Sequence, residues 1–411
     1  MFGRLRALFG KQSSVDPKAS FLAEVMAIVR SQPHVAAVEP SDDAFALLLT
    51  LPSGRKYEMF LQNHFVETRE MSPDERRMRI VAVLAGVDAD RELSWEEAQE
   101  SLLPVIRGAT FGQIAPSGMP ATHEVMGDNL PVRRSFVPFV DVMVVVDTPA
   151  AMAYVTAAKT KGWGVTLDDV LDKALANFGA RASTEAELYD DLHGPLYHLT
   201  TNDSYESSRL LIPGWLASFR GAVEGEPIAI IPQRGMIFVG GNARPEMVGR
   251  LVAMADREYS SSLRNISPAL YTVDDEGRVV PYVADDPAVR IAHEKLAIYE
   301  YCQQAEHLKA TEEELFVAKY TVYQRDDGSI RSTASWTKTV DTLLPKVAWV
   351  SLVVVNEEGT AAESVLPVPW EAIEARLTKV PALHPPRYRT TGEFPDDGEL
   401  ATLRARYAAP A

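Results

Sequence analysis

Thr201, Asn202, Asp203, Tyr205, Glu206 and Arg209 crowd into the stretch LTTNDSYESSR (199–209). Two carboxylates and a guanidinium this close could act as general acid, general base and anion clamp, with hydroxyls and an amide to orient a polar ligand. The same residues also have a purely local reading. Asp203 is a suitable helix N-cap, and Glu206 three residues on completes a capping box. Glu206 and Arg209 are then i, i+3 neighbours, while Tyr205 and Arg209 are i, i+4 neighbours able to stack. Thr200, Thr201, Asn202 and Ser204 are left over at a helix N-terminus, a place suited to anions.

A second candidate lies at Val105–Phe111, VIRGATF. Arg107 at a strand end, followed by Gly108, can present a guanidinium to a carboxylate or phosphate. With 57 acidic residues in the chain, an intramolecular salt bridge competes with that role. Standard signatures are missing: no GxxxxGK[ST] loop, no GxGxxG after a strand, no HExxH and no GxSxG elbow. His193 and His198 are separated by the turn-forming Gly194-Pro195, so no local metal set forms, and neither metal nor cofactor is expected. The acidic pairs Asp190-Asp191, Asp274-Asp275 and Asp285-Asp286 read as solvated caps and hairpin tips.

The single cysteine, Cys302, rules out a disulfide within the chain and fits a reducing cytoplasm. A net charge of −16 without a basic stripe opposes nucleic-acid binding. No run reaches the ~20 apolar residues of a membrane span. At the start, Phe2, Leu5, Leu8 and Phe9 recur at helical spacing between Arg4, Arg6 and Lys11. That is the pattern of a membrane-surface or partner-docking tip, although so short a segment holds a helix poorly.

These residues need elements to position them. The expected layout is a flexible basic terminus (1–16), a small α-β-β-α unit (17–90), an α+β core (91–285), a connector helix (286–312) and a β-rich C-terminal module with an extended tail (313–411). Ser72 and Glu75, then Ser94 and Glu97, have capping-box spacing, and Thr166 opens a further helix. FVPFVDVMVVVD (136–147) reads as one strand covered on both faces. PIAIIP and GMIFVGG form a tight pair turning at Gln233-Arg234. In the connector, Val289, Ala292, Leu296, Tyr299 and Cys302 are expected to face inward. Asp326-Asp327-Gly328 reads as a hairpin turn, VPWEAIEARL (368–377) as a short helix, and the tail from Pro381 as an extended arm. The sum is an α+β fold of antiparallel and mixed sheets flanked by helices.

HLTTNDSYESSRLL followed by VEGEPIAIIPQRGMIFVGG resembles the signature region of the YtpQ-like family of bacterial proteins of uncharacterised function. LLPVIRGATF, KGWGVTLDDVLDKALANF and LYTVDDEGRVVPY agree in order, so the resemblance spans about 20–285 and omits the C-terminal module. Ser204 and Ser207 stand where that family commonly has Gly and Ala. The resemblance implies membership and carries no catalytic role to any residue. Three functional readings follow. One is a non-catalytic cytoplasmic binding or adaptor protein, with a protein partner recruited through 313–411. Another is a hydrolase or transferase built on Asp203, Glu206, Arg209 and Arg107. The last is a peripheral membrane protein tethered by residues 1–11.

Overall fold

The computed structural model describes residues 16–40, 45–52, 54, 56–88, 93–112, 128, 130–148, 152–201, 203–311, 315–325, 329–381, 383–390 and 394–407. The chain divides into two compact units, residues 1–93 with 147–153, and residues 94–146 with 154–411. Helices and antiparallel or mixed sheets make the fold α+β.

In the first unit, α1 (Pro17–Arg30), α2 (Gln62–Glu67) and α3 (Pro73–Asp88) accompany a three-stranded antiparallel sheet of β1 (Ala37–Pro40), β2 (Ala46–Thr50) and β3 (Lys56–Phe60). Alternation along β2 puts Leu47 and Leu49 on the core side with Phe21, Val25, Ile80 and Leu84. The Ser72–Glu75 box closes in both directions, the Ser72 N–H donating to Glu75 at 2.9 Å and the Glu75 N–H to Ser72 Oγ at 3.4 Å. β1 was not expected from sequence, because its four residues, AVEP, alternate too briefly to register.

The second unit opens with α4 (Trp95–Ala98), capped by Ser94 and Glu97 as expected. Then come β4 (Leu102–Gly108), β5 (Arg133–Val137) and β6 (Val140–Asp147), with β6 between the other two and antiparallel to both. The 136–147 stretch is therefore a hairpin and not one strand. Phe139 makes the turn at φ 66°, a left-handed conformation that a phenylalanine rarely adopts. Its carbonyl accepts from the Ala109 N–H at 3.0 Å, and its ring meets Tyr301 edge-on at 5.5 Å. β7 (Met152–Tyr154) leads into α5 (Ala157–Trp163) and α6 (Leu167–Arg181). The Thr166–Asp169 capping box starts α6, and Asn177 ties it to the Gln99 and Leu102 carbonyls, at 2.8 and 3.0 Å, beside β4.

Six antiparallel strands form the largest sheet, in the order β13-β12-β10-β11-β9-β8. They are β8 (Glu187–Asp190), β9 (Leu196–His198), β10 (Pro227–Ile230), β11 (Phe238–Gly241), β12 (Leu270–Val273) and β13 (Val279–Pro281). One face packs on Trp215, Leu216 and Phe219, the other on Met247, Val248 and Leu251 of α7 (Pro245–Ser261). α8 (Pro287–Thr311) follows and joins both cores, Leu296 entering one and Val289 the other.

The C-terminal strands make two four-stranded sheets. β14 (Phe316–Val317), β17 (Thr342–Pro345), β21 (Arg387–Thr390) and β20 (Leu377–Val380) form one in that order. β15 (Thr321–Gln324), β16 (Ile330–Thr337), β18 (Trp349–Val355) and β19 (Ala362–Pro369) form the other. Residues 326–328 lie outside the described residues. The expected helix at 368–377 is instead the end of β19 and two 3-10 turns, Trp370–Ala372 and Glu374–Arg376, too short for an α-helical nucleus. The tail beyond Pro381 is not an arm. It supplies β21 and α9 (Asp397–Tyr407), and Leu400 of α9 seals the core around Trp336 and Trp370.

Candidate functional site

β9 ends at His198, and the chain passes through Thr200 and Thr201 to a tight bend. Ser204 sits at φ 65° and turns Asp203 back over the 3-10 segment Glu206–Leu211. Asp203 Oδ1 accepts from the Tyr205 N–H at 2.8 Å and from Arg209 Nη1 at 3.0 Å, while Oδ2 accepts from Arg209 Nη2 at 2.6 Å. Arg209 Nε donates to the Ser183 carbonyl at 3.0 Å, and the guanidinium lies over the Phe178 ring at 5.2 Å. Arg209 is 0 % exposed. Burial alone would raise the Asp203 carboxyl, but the Arg209 fork and the Tyr205 N–H together hold it below the usual value.

This geometry corrects the local expectation. Tyr205, not Asp203, stands before the 3-10 turn, and no side chain caps it. A 3-10 turn projects residues three apart on one side, yet Arg209 reaches back past Glu206 to Asp203 because the left-handed Ser204 folds that carboxylate over it. Tyr205 packs on Phe178 at 6.1 Å, taking the flank of the ring whose face holds Arg209. Glu206 is buried; its Oε1 accepts from the Thr201 hydroxyl at 3.3 Å, and its Oε2 meets no hydrogen-bond donor among the described residues. Asn202 and the tip residues Phe2, Leu5, Leu8 and Phe9 lie outside the described residues.

Arg107 stands elsewhere, on β4 opposite Asp141 of β6. Its Nε donates to the Tyr154 hydroxyl and its Nη1 to the Ile106 carbonyl, both at 2.7 Å. The guanidinium sits 5.5 Å from the Phe111 ring centroid and 5.7 Å from that of Tyr154. Two aromatic residues hold it, Tyr154 through both ring and hydroxyl, and no acidic partner meets it among the described residues.

A second polar cluster, missed in the sequence, lies where α8 crosses the turn after β4. Glu300 Oε2 accepts from both the Thr110 N–H and the Thr110 hydroxyl at 2.7 Å. A Cβ on Gly108 would stand 2.3 Å from Glu300 Oε1, so the carboxylate occupies the space a side chain would need. Burial pushes the Glu300 carboxyl up to about 7; the Thr110 bonds oppose that and the nearby Asp141 charge adds to it. Asp141, 1 % exposed, has its Oδ2 3.7 Å from Arg133 Nη1 and 3.8 Å from His384 Nδ1. At those distances neither contact is a hydrogen bond, and burial raises the Asp141 carboxyl although Arg133 and His384 oppose it. Arg133 is committed elsewhere, to the Ala109 and Phe111 carbonyls at 2.8 and 3.1 Å.

One turn further along α8, the buried Arg387 guanidinium is wrapped by Gln304 Oε1 and by the carbonyls of Ala318, Leu343 and Tyr301, at 2.6–3.1 Å. Burial lowers it to about 10. The inward face of α8 thus carries Glu300, Tyr301 and Gln304, while Tyr299 and Cys302 are exposed, contrary to expectation. The sequence signals were faint: one aspartate inside the valine-rich run VDVMVVV, and Glu300 and Gln304 in step with Leu296 at intervals of four. Among the described residues no group of three or more His, Cys, Asp or Glu could hold a metal ion. No helix among them is long and apolar enough to cross a membrane.

No family model matches the chain, and no solved structure matches it. Curated proteins do. A UPF0354 protein of Bacillus cereus is 26 % identical over 145 residues, which is 35 % of this chain and 49 % of that protein. A UPF0354 protein of Bacillus thuringiensis subsp. konkukian matches at the same identity and coverage. The chain spans about half the length of the curated relatives it matches. Over roughly a third of its residues, then, it is similar to UPF0354 proteins of Bacillus.

Proposed function

We propose that this chain is a non-catalytic binding or adaptor protein of the cytoplasm, allied to the YtpQ-like proteins that its 20–285 region resembles. The observation that carries this reading is the inward commitment of Arg209. An anion clamp must show its guanidinium to a ligand; here the Arg209 donors go to Asp203 and Ser183 and its face to Phe178. Arg107 is likewise engaged by Tyr154 and its neighbours. The charged groups of this stretch support structure, and recognition falls to the surfaces outside it, the 313–411 strands among them. The single cysteine, an exposed free thiol, suits a reducing compartment.

Photo-crosslinking of the full chain in native lysate tests the reading. A partner captured reproducibly and competed by unlabelled protein is the expected result. No captured species, alongside a metabolite that shifts the melting temperature of wild type and not of Asp203→Ala, would replace it with a small-molecule site.

One observation favours an enzyme instead: Glu300 is poised at about 7, where a carboxyl can exchange a proton at neutral pH. That reading predicts a substrate-dependent activity lost in Glu300→Gln while the fold is retained.

A further inference from the structure

In the sheet β15-β16-β18-β19, alternate side chains, Trp336, Val350, Leu352 and Leu366 among them, enter the core around Trp370. The positions between them face the other way: 321 and 323 of β15, 331–337 of β16, 349–353 of β18 and 365–369 of β19, odd numbers throughout. None of these outward residues is buried; Tyr323 is 41 % exposed and Val365 56 %. The register sets them side by side, Tyr323 opposite Arg331, Thr333 opposite Trp349, and Val353 opposite Val365. In a chain of net charge −16, these outward positions hold no Asp, Glu or Lys, and Arg331 is their single charge. Trp, Tyr and Arg in the absence of Lys, Asp and Glu is the composition that marks protein interfaces. The Arg331 guanidinium stacks on Trp349, 4.4 Å from the ring centroid. Among the described residues it makes no hydrogen bond or ion pair. Arg209 and Arg107 spend their donors inside the protein; Arg331 is held by an aromatic ring with its donors left over.

We propose that this outward sheet face docks a protein partner that sets an Asp or Glu carboxylate on Arg331 and apolar side chains on the surface around it. The inference deepens the binding reading and rests on it. Charge picks the occupant. A lone guanidinium on a face without anions is answered by one negative charge, and its planar fork matches a carboxylate. A phosphate, with nearly two charges, is matched by a cluster of arginines. Small ligands are held in concave sites, whereas four strands side by side offer area to a protein surface. Arg331, Trp349 and Tyr323 are of the residue types that carry most of the energy in such contacts, and Val353 with Val365 extends the apolar part.

The probe is a labelled synthetic peptide repeating Glu-Val-Ser, with a Lys-Val-Ser repeat as control, titrated onto the full chain. A three-residue repeat turns both the charge and the valine toward either side of an extended segment. The wild type is expected to bind the Glu peptide and not the Lys peptide. Arg331→Gln should weaken that binding by at least about tenfold, and Arg331→Glu should invert the preference. Arg331→Lys keeps the charge and loses the fork, so it should fall between wild type and Arg331→Gln. Val365→Asp sets a carboxylate on the apolar part and should also weaken binding. That position is exposed, so it reports on the face even if changes at Arg331 disturb Trp349, and unchanged melting temperatures will show that the fold persists. Equal binding to wild type, Arg331→Gln and Val365→Asp, or none to the wild type, overturns the proposal. Self-association of the wild type that Arg331→Glu abolishes overturns it too, by making the occupant a second copy. Lysate crosslinking separates its failure from that of the binding reading. A partner captured equally by wild type and by Arg331→Glu removes this face and leaves the binding reading standing. A wild type that captures nothing removes the binding reading.

Discussion

Asp203 and Asp141 are both carboxylates beside arginines, and their surroundings treat them in opposite ways. Asp203 meets Arg209 through two parallel hydrogen bonds and keeps part of its surface in water, so its charge is favoured. Asp141 is shut away, and its arginine stands 3.7 Å off because the Arg133 donors are spent on two backbone carbonyls. Glu300, pushed up by its own burial and by the nearby Asp141 charge, sharpens the contrast. An arginine in a buried site can hold a carboxylate or hold a turn. Where it holds the turn, the carboxylates nearby drift toward neutrality.

The strongest way to break the comparison is Asp203→Ala. It strands a fully buried guanidinium and should cost about 3 kcal/mol, read from urea midpoints. A loss under about 1 kcal/mol would mean that Ser183 and Phe178 suffice for Arg209. Glu300→Gln probes the other side. The Glu300 carboxyl lies near 4.5 when unfolded and about 7 when folded. Below pH 4.5 the folded state bears no penalty from it. As pH rises through that window the unfolded chain releases a proton that the folded one retains, so wild-type stability falls. The variant, always neutral, is expected to gain on wild type by on the order of 2–3 kcal/mol between pH 4.5 and 8. A constant difference across that range would refute the assignment.

Gly108→Ala is next, at about 1–3 kcal/mol, because the new Cβ collides with Glu300 Oε1. Adding Glu300→Ala should recover much of that loss, and a double-mutant cycle measures the coupling. The smallest effect is expected for Thr201→Val. Its hydroxyl reaches Glu206 at 3.3 Å, and under about 1 kcal/mol should go with it.

Much of the scaffold was legible in the sequence. Ser72, Ser94 and Thr166 announce helix starts because capping is local, and each box forms. The strand pair turning at Gln233-Arg234 is equally local. Misreadings occurred where distant chain decides the outcome. The Asp203–Arg209 pair depends on a left-handed Ser204 and on Phe178 from another helix. The Glu300 site joins residues 190 positions apart, a separation that no periodicity reveals. The inward face of α8 was read correctly at Val289, Ala292 and Leu296 and missed further on, at Tyr299 and Cys302, because there it is lined with Glu300 and Gln304, whose partners come from 108–110 and 385–387. The tail from Pro381 looked like an arm because Arg387, a deeply buried anchor there beside Thr390, is of a type that usually signals surface.

That anchor also sets an order of events during synthesis. Asp141 leaves the ribosome roughly 250 residues before Arg387, a delay of ~10–50 s at common elongation rates. For roughly the first 160 residues of it the turn at Gly108 lacks the helix that fills it, and for the rest that helix lacks the strand that fixes it. The second unit therefore completes its core late, and its early strands spend that interval as a nascent edge that chaperones would be expected to shield.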